Sequence, residues 1–295
     1  MQSWPELPIA AWRDTYATLL LYSQIVGKIR LVLTPKQNQW WNVPFYVTTR
    51  GLTTSPMPFG DRTLSIDFDF VDHQLRIDDS DGNRRTLPLV SRSVRDFQTA
   101  LFAELAALGV ELRIYQAPQE CPVTTPLNQD TEHATYDPAR AGDFWQALRR
   151  VDTVFKTFRT RFRGKSSPVH FFWGAFDLAV SRFNGRRAPR REGVIDRDAY
   201  DEEVISLGFW PGDPWTGAID AMFYSYTVPE PPGLSSQRVE PAAASFNDTL
   251  KEFVLPYEAV RRASDPARML LEFGQSTYDT GAKLAGWDRA ALAYP

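Results

Sequence analysis

At 295 residues the chain stands at the upper limit for one hydrophobic core, so one large domain or two fused units are expected, and two is the working reading. Hydrophobic residues at 43% and charged residues at 23% are ordinary for a globular protein and exclude a disordered chain. With 33 Lys and Arg against 36 Asp and Glu there is no global field to recruit nucleic acid or anionic lipid, so neither partner is expected.

After Pro8, apolar residues at Ile9, Trp12, Tyr16, Leu19, Leu20 and Val26 follow a helical period that should end near Gly27. From Val43 the period becomes two: Val43, Phe45 and Val47, then Leu64, Ile66, Phe68 and Phe70, predict strands with one buried face. Leu75 and Ile77 with Leu87 and Leu89 flank Ser80-Asp81-Gly82-Asn83, a hairpin whose Asp-Gly supplies the positive φ of a tight turn. Ser93 caps a helix carrying Val94, Phe97, Leu101, Leu105 and Leu108, with Gly109 closing it. Val110, Leu112 and Ile114 predict one more strand, and the aperiodic stretch 116–137 a linker or long loop.

Beyond Asp137-Pro138 the order repeats. A helix carries Phe144, Leu148, Val151, Phe155, Phe158 and Phe162. Strands follow at Val169–Trp173, Phe176–Phe183, Val204–Phe209, Met222–Val228 and Phe253–Leu255, and a last helix starts at Asp265-Pro266. The expected fold is therefore α+β: two tandem helix and antiparallel-sheet units, 1–115 and 138–295, with helices on one face and a possible internal duplication. A single continuous sheet is the alternative. The N-terminus lacks the basic start and apolar run of a signal peptide, and no 18-residue apolar stretch stands out. Cys121, the only cysteine, fits a reducing cytoplasm.

WPELP with AAWRDTYATL, GLTTSP, FDFVDH, PVHFFWGAFDLAVSRFNGR and GFWPGD together resemble a bacterial domain family of unknown function, over nearly the whole chain. The resemblance implies homology and transfers no activity. In that family pattern histidines flank the paired tryptophans, whereas Gln39 and Asn42 stand there in this chain, which argues against a metal site at that place.

No Gly-rich phosphate loop, Walker motif, HExxH, CxxC or GxSxG occurs, so a nucleotide cofactor, a local metal motif and a serine hydrolase are not supported. Of three histidines, His170 lies in an apolar strand, where burying an imidazole costs stability unless it is hydrogen-bonded or ligating. Most buried polar groups simply find a protein partner, and that is the plainer reading of His170. Asp177 is the candidate carboxylate to orient His170 as a general base, turned toward it by a bulge at Gly174. His133 and Tyr136 enter a helix from a loop, a position that suits either a site or a cap. Glu203, Tyr224 and Tyr226 are expected on one sheet surface, Arg182 as a clamp for an anionic group, and Trp210 at the lip of a pocket.

Nine Trp, 19 Phe and 11 Tyr favour an aromatic-lined cavity, placed in the second half. Three functions follow. The first is a small-molecule-binding protein or enzyme using His170, Asp177, Arg182, Glu203, Trp210 and Tyr224. The second is a transition-metal enzyme in which His133, His170 and Glu203 converge. The third is a non-enzymatic interaction module. Ligand, reaction and oligomeric state do not follow from sequence.

Overall fold

In the computed structural model, which describes residues 3–294, the helix after Pro8 does not stop at Gly27. It runs as α1 (Ile9–Leu33), and every residue from Thr15 to Arg30 is buried, so over that stretch it is a central helix without a wet face. Gly27 continues the helix because the Trp173 indole lies directly on it: a Cβ there would fall inside the ring. α1 is also long and apolar enough to cross a membrane, which revises the expectation that no such stretch exists, and 83% of its most apolar window is buried inside the fold.

The first sheet comprises β1 (Tyr46–Val47), β2 (Gly51–Thr53), β3 (Met57–Phe59), β4 (Arg62–Asp69), β5 (Gln74–Asp79) and β6 (Arg84–Pro88). Its order is β1-β2-β4-β5-β6, all antiparallel, with β3 also paired to β4. The β5–β6 hairpin turns at Gly82, whose φ is +85°. α2 (Val94–Ala107) begins where expected, with the Ser93 hydroxyl accepting from Asp96 N at 3.1 Å.

The strand expected over Val110–Ile114 does not form. Val110 and Ile114 are buried, but this stretch has no ladder neighbour, and the residues after it are held by side chains of α1. Lys28 Nζ donates to the carbonyls of Tyr115 (3.0 Å) and Ala117, and Gln24 makes reciprocal bonds of 2.7 and 2.9 Å with the Gln119 backbone. The rest of 116–137 is tied down in the same way: Thr135 N and Asp137 N donate to Thr18 and Thr15 of α1.

α3 (Pro138–Arg159) starts from Asp137, whose side chain accepts from Ala139 N at 2.9 Å. The second sheet comprises β7 (His170–Phe172), β8 (Asp177–Arg187), β9 (Glu202–Trp210), β10 (Met222–Val228), β11 (Ser245–Asn247) and β12 (Glu252–Pro256), in the order β7-β8-β9-β10-β12-β11. A short helix, α4 (Val194–Ala199), interrupts β8 and β9; α5 (Tyr257–Arg261), α6 (Pro266–Leu284) and α7 (Arg289–Leu292) end the chain. Both sheets are antiparallel in a mixed α+β chain, and each half is opened by a long helix and carries six strands.

Two features join the halves. Phe45 and Phe171 exchange both backbone hydrogen bonds at 2.9 Å, coupling the β1 side of the first sheet to β7. One contiguous apolar core runs from Trp4 through both sheets to Trp287. Most of the aromatic excess is spent there, in rings such as Phe45, Phe97, Phe144, Phe155, Phe171 and Phe176, each worth roughly 1.5–3 kcal/mol when fully buried.

Candidate functional site

Strand alternation gives the second sheet two unlike faces. Leu178, Val180, Ile205, Leu207, Phe209, Phe223, Phe253 and Leu255 are at most 2% exposed, on the face against α3, α5 and α6. Gly274 and Gly281 let α6 lie close: an added Cβ at Gly274 would come within 2.6 Å of Leu207, and one at Gly281 would strike Thr227.

The opposite face is polar and half-buried. Its central row runs His170, Ala179, Gly208, Tyr224 across four strands. The two small residues leave a trough, and Tyr224 lies down in it, with its ring where a Gly208 side chain would be. From there the Tyr224 hydroxyl donates to Asp177 Oδ2. The next row pairs Ser181, Ser206 and Tyr226, with the two serine hydroxyls 3.0 Å apart. The rings of Tyr224 and Tyr226 are parallel within 3°, 6.0 Å apart, and form a floor. Trp41 and Tyr200 pack over Phe183, Val204 and Val228 at one end of it, and Tyr200 donates to the Tyr226 hydroxyl at 3.4 Å.

Asp177 is 6% exposed and has no cation beside it among the described residues. Burial pushes its carboxyl up to about 7; the Tyr224 bond draws it back and the Glu120 charge pushes it further. Glu252 is likewise raised by burial to about 7, with Asp177 adding to the rise. His170 is 1% exposed, and neither ring nitrogen has a hydrogen-bond partner. Burial, then the charges of Arg159 and Arg30, lower it to about 3, so its imidazole is neutral at physiological pH.

The sheet thus brings His170, Asp177, Trp210, Tyr224 and Tyr226 to one face. Other members of the expected set go elsewhere. Arg182 has the opposite strand parity: it faces the helices, donates to the Phe158 carbonyl, and is enclosed by the rings of Phe158, Phe162 and Tyr278, so it cannot clamp a ligand beside His170. Glu203 is likewise on the other parity, bound by Arg186 (2.6 Å), Asn184 (2.7 Å) and the Trp287 indole (3.0 Å). Burial raises its carboxyl, and those bonds more than offset the rise. Asp177 does not orient His170, because its partner is Tyr224. His133 bonds Asp130 at 2.7 Å beside Trp215, and Tyr136 bonds His73 at 2.8 Å, both near the start of α2 and α3. His133, His170 and Glu203 therefore do not converge, and among the described residues no group of three His, Cys, Asp or Glu could hold a metal ion.

The model of a family of unknown function, DUF5996, matches residues 4–294. The chain belongs to this family. No curated protein and no solved structure matches it. The family description carries no reaction, so for this DUF5996 protein the chemistry rests on the geometry alone.

That geometry offers a protonatable carboxyl at neutral pH, a tyrosine hydroxyl bonded to it, and a neutral imidazole with a free donor and a free acceptor nitrogen. Several residues of this DUF5996 face escape a reading by sequence: Ser181, Ser206, Tyr200, Trp41, Glu252 and Gly208. Only Gly208 carries a local signal, since glycine inside a strand marks the close approach of another group.

Proposed function

We propose that the Tyr224–Tyr226 floor is the binding surface for a small polar molecule, and that Asp177 is its proton donor or acceptor. The observation that carries this reading is Asp177 itself: a buried carboxyl with one hydroxyl partner and no cation is a costly arrangement, and such groups concentrate at functional sites. The planar tyrosine rings suit a ligand with a flat or ring-shaped face, and the Ser181–Ser206 pair supplies hydroxyls beneath it. The half-buried, unpaired Cys121 keeps a reducing cytoplasm as the proposed compartment.

The test is ligand-observed NMR of a defined library of small polar metabolites. Binders should lose at least tenfold in affinity in Tyr226→Ala and keep it in Arg149→Ala, an exposed position on α3. No binder, or binders indifferent to Tyr226, would sink the proposal.

A further inference from the structure

At the β7 end of the same face, where the last turns of α1 meet the Trp41–Tyr46 segment, two basic side chains, Arg30 and His170, have no anionic partner among the described residues. Arg30 is 6% exposed, its Nε and Nη1 are buried without a hydrogen-bond partner, and it forms no ion pair among the described residues. One ring links it to His170: the Tyr46 ring lies 6.0 Å from the Arg30 guanidinium carbon and 5.7 Å from the His170 ring. Trp41 at 5.7 Å and Phe172 at 5.4 Å complete an aromatic box around the imidazole. The charge of Arg159, from the end of α3, acts on the same imidazole, and its buried Nε is also unpartnered.

The protein treats its other buried cations differently. Lys28, two residues before Arg30 on the same helix, is given the carbonyls of Tyr115 and Ala117. Arg182, whose Nε is also unpartnered, is given the Phe158 carbonyl at another nitrogen and three aromatic rings. Arg30 has the Tyr46 ring but no carbonyl acceptor among the described residues. A guanidinium stays charged in any protein, and leaving a buried donor unpaired is costly, more so when it is charged. Native folds leave few such groups, and unpartnered donors on Arg30 and His170, both against the Tyr46 ring, call for a common partner. A water could accept hydrogen bonds but could not balance the charge. A compact oxyanion does both: its oxygens can accept from the guanidinium N–H groups of Arg30 and from the imidazole N–H.

We propose that Arg30, His170 and Arg159 form the receptor for the anionic group of the ligand, a carboxylate or a phosphate. The placing of the remainder of that ligand, toward Tyr224, rests on the function proposed above; the anion site itself stands on separate residues. Arg30 and Arg159 provide the charge, and His170 provides the donor nitrogen that fixes the anion's orientation.

Three histidines make the experiment readable, because ¹⁵N spectra of the imidazoles separate His170 from His73 and His133. The full chain is titrated with inorganic phosphate and with acetate, against chloride at matched ionic strength. The His170 nitrogens should move saturably with phosphate or acetate but not with chloride, while His73 and His133 stay still; whichever anion acts names the group. Arg30→Gln should weaken that response at least tenfold, and Arg159→Gln serves as the second variant if Arg30→Gln does not fold. A wild-type His170 signal unmoved by both anions overturns the proposal, as does an equal response in a folded arginine variant. If His170 responds but no library compound needs Tyr226, the floor reading fails alone; if compounds need Tyr226 but the anions leave His170 unmoved, the anion receptor fails alone.

Discussion

Asp177 shows how one side chain sets a pH dependence. Its folded carboxyl titrates near 7, against about 3.9 for an unfolded aspartate, so between those values the folded state holds the extra proton. Stability from this group therefore falls as pH rises from about 4 to about 7. We expect Asp177→Asn, which cannot ionise, to gain on the wild type by roughly 2 kcal/mol between pH 5 and pH 8, read from urea denaturation at both pH values. His170 acts in the other direction. With a folded value near 3 below an unfolded value of about 6.5, the unfolded state holds the extra proton between them, and stability falls as pH drops through that window. A second residue-scale expectation concerns Tyr224. Its hydroxyl draws the Asp177 carboxyl downward, so in Tyr224→Phe the Asp177 carboxyl should titrate higher than in the wild type, as followed by ¹³C NMR.

At the scale of elements, two glycines decide how close neighbours come. In α1, Gly27→Ala would improve intrinsic helix propensity by about 1 kcal/mol. The same methyl would enter the Trp173 indole, whose N–H holds the Val43 carbonyl at 2.9 Å, and overpacking of this kind costs about 1–3 kcal/mol. The clash should win, giving a net loss of roughly 1–2 kcal/mol in denaturant titration. In β9, Gly208→Ala would lift Tyr224 out of its trough. We expect about 2 kcal/mol of destabilisation together with loss of the Tyr224 bond to Asp177, visible as a change in tyrosine absorbance.

For the molecule as a whole, a core continuous from Trp4 to Trp287 and the Phe45–Phe171 bridge predict cooperative behaviour. A single calorimetric transition is expected. A chain cut between the exposed Asn128 and Gln129 should stay together on gel filtration, because the segment around the cut is bound to α1 and α2 through Thr15, Thr18 and Asp130. Two separable folded fragments would contradict this.

The sequence by itself determined most element types, the strand expected over Val110–Ile114 excepted, because periods of 2 and 3.6 and caps such as Ser93 and Asp137 are local properties. It also placed Asp177, Tyr224 and Tyr226 in strands. Which of these share a face was decided by register: Arg182 and Glu203 differ from His170 and Tyr224 by one step of strand parity, and one step exchanges helix face for open face. Arg30 was invisible for a related reason. Its helix was expected to end at Gly27, and only the packing of Trp173 on that glycine shows that the helix continues and carries a buried arginine to the side of His170. Local pattern specifies the elements; the charges and rings that meet between distant elements are set by how those elements dock.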